Sequence, residues 1–107
     1  MRKSLQAYAL RYDPWGGDRD SDARTMCDVF LTTRKKATCA ICFEAIPVGA
    51  NIRAQTQVSK EMRKAMTFKF CVTCCRAMAI AHRDFGKAIA HRTSIGMNHS
   101  AEAREDE

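Results

Sequence analysis

The clearest pattern of hydrophobic and polar positions lies in the second half of the chain, over residues 73–92. Five side chains there recur at intervals of three and four residues: Cys75, Met78, His82, Phe85 and Ile89. This spacing places them on one face of an α-helix. Gly86 lies within the stretch and has a poor helix propensity, so it predicts a kink or an early end of the helix.

A Pro-x-Gly signal in the middle of the chain predicts a β-hairpin over residues 43–58. Pro47 and Gly49 favour a tight turn, and the residues on both sides suit strands. Ser59 then suits the N-cap of a short helix over residues 60–66, because its hydroxyl oxygen can accept a hydrogen bond from the first turn. The middle of the chain is therefore predicted as a hairpin followed by a short helix.

The two ends of the chain carry weaker patterns. Residues 5–12 suit either a short strand or a turn of helix, and residues 13–22 are rich in Gly and Asp and predict a loop. Residues 21–31 are ambiguous, with a helix capped by Ser21 as one option. Residues 94–107 are polar and end in a run of charged residues, which predicts a disordered tail.

Charge changes this picture more than overall composition does. Residues 31–97 carry twelve Lys and Arg against three Asp and Glu, a net charge of +9, whereas residues 1–30 are neutral. Such a basic segment indicates a polyanionic partner, with a solvated basic surface as the plain alternative. The longest uninterrupted apolar run, Ala77–Ala81, is far too short to cross a membrane, so no membrane partner is expected.

The predicted nucleic-acid contacts are Lys and Arg side chains around and between the cysteine pairs, because phosphate binding needs such cations. They are Arg34, Lys35, Lys36, Arg53, Lys60, Arg63, Lys64, Lys69, Arg76 and Arg83. Phe68 and Phe70 are candidates for stacking on exposed bases, although at least one of them is expected in the small core. The sequence contains no base-reading motif, so weak or shape-based specificity is expected.

The cysteines carry the strongest chemical signal. Cys39-x2-Cys42 is followed, after 28 residues, by Cys71-x2-Cys74. Two such pairs supply the four thiolates of a tetrahedral zinc site, and a metal staple suits a chain of 107 residues with a modest core. The alternatives are disulfides, buried apolar cysteines or an iron–sulfur cluster. A complete shell of four thiolates leaves no open position, so one structural Zn²⁺ ion is predicted.

Two cysteines remain outside these pairs. Cys75 falls on the apolar helix face and is predicted in the core, with replacement of Cys74 as ligand left open. Cys27 is isolated and is expected to be buried. His82 is not expected to be a ligand, because a helix places it about 12 Å along the axis from Cys74. Clustered cysteines and the lack of a signal-peptide pattern predict a reducing, cytoplasmic location.

The order of a cysteine knuckle, a hairpin and a second pair at the start of a helix resembles a treble-clef zinc finger. The first half of the poly(ADP-ribose) polymerase-type zinc finger, a module that binds nicks and ends, is similar at Cys39, Cys42, Ile46, Pro47, Gly49 and Arg53. The zinc finger of the DksA/TraR group, which implies RNA polymerase as a partner, is similar at Cys39, Cys42, Ile46, Pro47, Arg53, Ala54, Cys71 and Cys74. Each resemblance covers about 45 residues and implies the fold more strongly than the target.

The predicted fold is therefore a small α+β domain, stabilised by zinc and similar to a treble clef, over residues 34–93. Its parts are a zinc knuckle, a β-hairpin and a C-terminal helix. Residues 1–33 are predicted to pack on this finger, and residues 94–107 to form the flexible acidic tail. The oligomeric state is left open.

Three classes of function compete. The prediction is a non-enzymatic zinc-binding module that contacts DNA or RNA through a basic surface. The alternative is a small regulator of the phage or mobile-element type that binds a host protein machine, such as RNA polymerase or a nuclease, with Trp15, Tyr8 and Tyr12 as interface anchors. An enzyme is disfavoured, because a nuclease built on this type of finger needs a catalytic His near the hairpin and residues 43–70 contain none.

Overall fold

Helices and strands occupy most of the part of the chain that the computed structural model describes, namely residues 2–14, 23–59 and 63–105. In chain order the elements are α1 (Lys3–Arg11), β1 (Ala23–Thr32), β2 (Ala37–Thr38), β3 (Ala45–Ile46), β4 (Asn51–Ser59), β5 (Lys64–Phe70), α2 (Val72–Ala79), α3 (Ala81–Asp84) and α4 (Lys87–Glu105). Within these residues the protein is an α+β domain with four helices, a three-stranded antiparallel sheet and a two-stranded hairpin. No helix among them is both long and apolar enough to cross a lipid bilayer.

The three-stranded sheet has the order β1-β4-β5, with β4 in the centre. Strand β1 pairs antiparallel with β4, for example Phe30 with Arg53, and a bulge lies between Thr25 and Cys27. Strand β5 pairs antiparallel with the other edge of β4. Residues 52–55 of the central strand are all buried. Because successive side chains of a strand point to opposite faces, both faces of β4 are covered at this point.

The ambiguous segment over residues 21–31 forms strand β1 in its described part. Its Thr25 and Phe30 side chains suit a sheet, and pairing along β4 satisfies the backbone groups. The option of a helix is therefore wrong for the described residues, while Ser21 lies outside them. The option of a helix is correct for residues 5–12, most of which lie in α1.

A hairpin forms in the middle of the chain, but the strands that pair in it are not the two that the sequence predicts. Residues 43–46 end in strand β3, which pairs with β2, while residues 51–58 lie in β4, which pairs with β1 and β5. The predicted pairing of these two segments is therefore wrong. A turn does form between them, but the Thr33 hydroxyl donates to the Pro47 carbonyl at 2.7 Å, and the Gly49 N–H donates to the Thr33 carbonyl at 2.9 Å. These bonds hold the turn against the end of β1, so the chain before and after it enters different sheets.

A second hairpin replaces the short helix predicted over residues 60–66. Strand β5 begins at Lys64, which pairs with Ser59 of β4. Arg63 takes a left-handed conformation, with φ +49°, in the connection, and residues 60–62 lie outside the described part of the chain. The prediction of a helix is wrong from Lys64 onward, because pairing with β4 satisfies the backbone and outweighs local helix propensity.

Helices α2, α3 and α4 follow the sheet where the sequence predicts one helix. The predicted break at Gly86 is confirmed, because Phe85 and Gly86 both have positive φ, +57° and +77°. The carboxylate of Asp84 accepts hydrogen bonds from the Gly86 and Ala88 N–H groups, at 2.9 Å each. This carboxylate therefore caps the start of α4.

Helix α4 continues beyond the predicted end of the domain. The disordered tail expected from residue 94 is wrong for residues 94–105, which are helical through Glu105. Gly96 brings this helix directly against the loop between β2 and β3, since a Cβ atom at Gly96 would lie 1.8 Å from the Ile41 carbonyl oxygen. The boundary predicted at residue 93 thus falls inside a helix that packs on the rest of the domain.

A buried arginine joins the N-terminal helix to the sheet. Arg53 donates through Nε and Nη2 to the two carboxylate oxygens of Asp28, at 2.8 and 2.7 Å. Its Nη1 donates to the carbonyl oxygens of Ala9 and Tyr12, at 2.9 Å each, at the end of α1. Gln55 donates to the same carboxylate at 3.0 Å. We call this group of five residues the Arg53 junction, and it ties α1 to β1 and β4.

Candidate metal centre

Two separate connections in the fold carry the paired cysteines. Cys39 and Cys42 lie in the loop of the β2–β3 hairpin. Cys71 is the N-cap of α2, and Cys74 lies in the first turn of that helix. A backbone hydrogen bond of 2.8 Å from the Ala40 N–H to the end of β5 fastens the loop next to the second pair. Pairs that are distant in the sequence therefore meet at one point.

The four sulfur atoms form a compact, buried group, which we call the cysteine cluster. All lie within 4.8 Å of one another, and the four residues are 0–9% exposed. The Sγ atoms of Cys39 and Cys74 are 3.6 Å apart, and those of Cys42 and Cys71 are 3.7 Å apart. A disulfide would bring two sulfurs to about 2 Å. Thiolates around a tetrahedral ion with Zn–S bonds of about 2.3 Å lie about 3.8 Å from one another. The cysteine cluster therefore has the size of a metal shell.

Backbone amides donate to two of the sulfurs. The N–H groups of Ile41 and Cys71 donate to Cys39 Sγ at 3.4 and 3.3 Å. The N–H of Cys74 donates to Cys71 Sγ at 3.4 Å. Such donors stabilise negative charge on sulfur, so they favour the thiolate form that binds a metal ion. The backbone of the loop and of the helix start thus favours the charged form of these sulfurs, which is the form that binds a cation.

Hydrogen bonds among the thiols separate their pKa values. The pKa of Cys39 lies far below its usual range, because side-chain hydrogen bonding with Cys71 and Cys74 favours its thiolate and outweighs the opposing effect of burial. The same contact with Cys39 raises the pKa of Cys71 to about 12 and also raises the pKa of Cys74. A second thiolate beside Cys39 in so small a space is favourable only when a cation lies among the sulfurs.

Arg92 is a charged side chain that lies against the cysteine cluster. Its Nη2 is 3.9 Å from Cys71 Sγ and 3.2 Å from a carboxylate oxygen of Glu44, and the side chain is 14% exposed. Its Nε is buried and has no hydrogen-bond partner among the described residues. A complex of one divalent ion and four thiolates carries roughly two net negative charges. With such an ion bound, the cluster would attract the positively charged Arg92 side chain and could accept a hydrogen bond from its Nε. Arg92 lies in α4, far from both cysteine pairs in the sequence, and no spacing rule identifies it.

The two remaining cysteines differ from each other. Cys75 is fully buried, its thiol donates to the Phe70 carbonyl at 3.3 Å, and burial raises its pKa to about 11. It is a core thiol, as predicted. Cys27 is exposed, so the expectation that it is buried is wrong. It lies beside the bulge of β1, which is an edge strand of the sheet. His82 stacks on Tyr8, with ring centroids 4.5 Å apart, and does not belong to the cysteine cluster.

The predicted nucleic-acid contacts divide between the interior and the surface. Arg53 is 1% exposed and is engaged in the Arg53 junction, so its assignment as a phosphate contact is wrong. Lys60 lies outside the described residues. The other predicted contacts are exposed or partly exposed: Arg34, Lys35, Lys36, Arg63, Lys64, Lys69, Arg76 and Arg83. Within the described residues, ion pairs join Arg53 to Asp28 and Arg92 to Glu44.

Three of these exposed cations come together at one place. Arg34, Lys35 and Lys69 line a shallow groove of about 650 Å³ beside residues 31–33. Lys69 belongs to β5, and the fold brings it next to the segment that follows β1. No acidic side chain of the described residues lines the groove. We call this surface the basic groove.

Among the described residues, the most exposed aromatic ring is not one of the two that the sequence suggested for stacking. Phe70 is fully buried, with the Arg53 guanidinium 5.8 Å from its ring centroid, so the expectation that at least one of Phe68 and Phe70 lies in the core is confirmed. Phe68 is partly buried and packs against the core. Phe85 is 93% exposed, although its spacing placed it on the buried face of a helix. The break at Gly86 removes that face, and this glycine was the signal that could have identified Phe85.

No known protein family, curated protein or solved structure matches this chain. The chain is therefore assigned to no family. Its similarity to the two types of zinc finger rests only on the cysteines and neighbouring residues quoted from the sequence. The geometry establishes a buried group of four cysteines that could hold one metal ion, with zinc suited to the donors.

Proposed function

We propose that this protein is a zinc-stabilised module that contacts nucleic acid, DNA or RNA, through a surface centred on the basic groove. The observation that carries the proposal is the convergence of Arg34, Lys35 and Lys69, with no acidic side chain of the described residues in the lining. Cations that converge in this way can contact neighbouring phosphates, and each contact releases condensed counterions. The net charge of +6 adds long-range attraction to a polyanion.

Zinc is the ion that we assign to the cysteine cluster. Four cysteines in two CxxC pairs, with sulfurs that all lie within 4.8 Å of one another, are a donor set that Zn²⁺ prefers. With all four cysteines bound, the ion has no open position for a substrate, so we assign it a structural role and no catalytic one. A cysteine knuckle on a hairpin with a second pair at a helix start supports a treble-clef arrangement for this part of the chain.

Binding through phosphates has two consequences for specificity. Affinity should fall steeply with salt, because counterions compete for the same phosphates. Sequence preference should be weak, because phosphate contacts position a protein without reading bases. Exposed cations away from the basic groove add affinity only where a strand reaches them. Substitutions in the basic groove should therefore have the larger effect.

The proposal is tested by titration of the zinc-loaded full chain with labelled single-stranded and duplex DNA and RNA at two salt concentrations. Lys35→Gln with Lys69→Gln removes two charges from the basic groove. Arg2→Gln with Lys3→Gln removes two exposed charges near the N-terminus and is the matched control. We expect at least about a tenfold loss of affinity in the groove variant and little change in the control.

Two results would overturn this proposal. One is the absence of binding to every probe at low salt. The other is an equal loss of affinity in the groove variant and in the control, which would show that only total charge matters. A complex captured from a cell extract that survives nuclease treatment would instead favour the alternative, a regulator of a host protein machine.

A further inference from the structure

Phe85 occupies an unusual place for a large apolar side chain. Its ring is 93% exposed, and its backbone takes the left-handed conformation, with φ +57°, at the C-cap of α3. Glycine adopts this conformation readily, whereas a residue with a bulky side chain is disfavoured there. Neither packing nor backbone geometry therefore accounts for a phenylalanine at this position.

A wide cleft opens beside Phe85, which we call the Phe85 cleft. It has a volume of about 760 Å³ and is lined by α1, by the α2–α3 segment and by the break that follows α3. Its walls include the rings of Tyr8, Tyr12, His82 and Phe85. Tyr8 and His82 are stacked, with their planes inclined by 11°. The cleft therefore places an exposed phenyl group beside a stacked pair of rings.

Positive charge accompanies these rings. The Arg11 guanidinium lies in the wall of the cleft, 5.5 Å from the centroid of the Tyr8 ring. Arg83 and Lys87, on either side of Phe85 in the sequence, are exposed. No acidic side chain of the described residues lines the cleft, and the nearby Asp84 carboxylate is engaged by two backbone N–H groups. The cleft thus suits a ligand that is flat, aromatic and negatively charged.

We propose that the Phe85 cleft binds an unpaired base of a single-stranded nucleic acid, with Phe85 stacked on the base and Arg11 near a phosphate. This inference rests on the proposed function and deepens it, because it names unpaired nucleotides as the preferred ligand. Charge complementarity favours this occupant over an apolar peptide, which has no negative charge for Arg11 to pair with. A duplex does not suit the cleft, because its bases are already stacked on one another.

The test compares three labelled probes of equal length on the zinc-loaded full chain: oligo(dT), a strand with abasic sugars, and a duplex. Phe85→Ala is compared with Phe43→Ala, a matched control, because Phe43 also has a positive φ, +59°, and a 49% exposed side chain. Wild type should bind oligo(dT) more tightly than the abasic strand. Phe85→Ala should lose about tenfold in affinity for oligo(dT) and little for the abasic strand, since stacking on one aromatic ring has an effect of this size. Phe43→Ala should match wild type on all probes.

A further variant separates stacking from folding. Asparagine tolerates the left-handed backbone, so Phe85→Asn should keep or raise the melting temperature and still lose affinity for oligo(dT). Equal binding of oligo(dT) and the abasic strand by wild type, or an unchanged affinity in Phe85→Ala, overturns the stacking and leaves the proposed function in place. Failure of wild type to bind any probe at low salt overturns the proposed function, and the stacking with it.

Discussion

The Arg53 junction and the cysteine cluster are both polar groups buried in a small domain, but they differ in what completes them. At the Arg53 junction, the chain itself supplies carboxylate and carbonyl oxygens at 2.7–2.9 Å from the guanidinium. In the cysteine cluster, four sulfurs converge with no covalent bond between them, and thiolates at such distances repel one another. One group is complete within the protein, and the other could be completed by a metal ion. The two should therefore respond to different perturbations.

The largest effect is expected from the loss of a metal ligand. Cys39→Ser should release zinc and remove most of the roughly 10 kcal/mol that a structural zinc site contributes to folding, so the domain should unfold. Cys75→Ser is the matched control, because Cys75 is a buried cysteine outside the cysteine cluster, and it should keep one zinc ion. Metal analysis and thermal melting by circular dichroism measure both. Bound zinc together with wild-type stability in Cys39→Ser would show that the ligand assignment is wrong.

The second effect concerns the Arg53 junction. Arg53→Met leaves the Asp28 carboxylate without its ion-pair partner and frees the carbonyls at the end of α1. We expect the free energy of unfolding to fall by about 3 kcal/mol, with zinc still bound. Combining it with Asp28→Leu removes both charges and should recover part of the loss. Urea unfolding of the zinc-loaded proteins measures this, and loss of zinc from Arg53→Met would show that the two groups are not independent.

The third effect is expected at Arg92, which touches the cysteine cluster without belonging to it. Arg92→Met removes the cation beside Cys71 and should weaken zinc affinity about 10- to 100-fold, as is typical for a residue next to a metal shell. Arg92→Lys should lose less, and Arg76→Met, at an exposed arginine of α2, should lose nothing. Competition with a chromogenic chelator measures the affinities. Equal zinc affinity in wild type and Arg92→Met would show that Arg92 does not contribute to metal binding.

The smallest effect is a difference in thiol reactivity that leaves stability unchanged. With zinc bound, Cys27 should react readily with a maleimide, because it is exposed. Cys75 should stay unmodified, because burial shields it and raises its pKa to about 11. The cysteines of the cluster should react only after a chelator is added. Peptide mass spectrometry locates the label, and rapid labelling of Cys39 in the zinc-loaded protein would contradict a closed metal shell.

The sequence alone was sufficient to predict the cysteine cluster. It was insufficient to predict much of the strand pairing and burial around the cluster. The CxxC spacing predicts the metal centre because it brings two sulfurs to one point from a local turn. Pro47 and Gly49 predict a turn, but not which strands pair, since Thr33 holds that turn from another part of the chain. The sequence does not show whether an arginine is exposed to solvent or paired with a carboxylate inside the protein. Arg53 was therefore assigned to the surface, although α1 covers its face of the sheet.

The basic groove and the Phe85 cleft show that the same limit of sequence-based prediction applies to candidate functional surfaces. The sequence identifies Lys35 and Lys69 as cations, but only the fold brings them to one groove. Helical periodicity assigned Phe85 to a buried face, and two consecutive residues with positive φ expose it instead. Local patterns thus predict which residue types are present. Long-range pairing and helix breaks decide which of them come together at one surface.

Native mass spectrometry of the purified full chain, combined with chelation, tests the zinc assignment most directly. We predict one zinc ion per chain, and loss of that ion on chelation together with loss of folded structure. A chain that is fully folded without metal, with the four cysteines of the cluster as free thiols or in disulfides, would contradict the assignment.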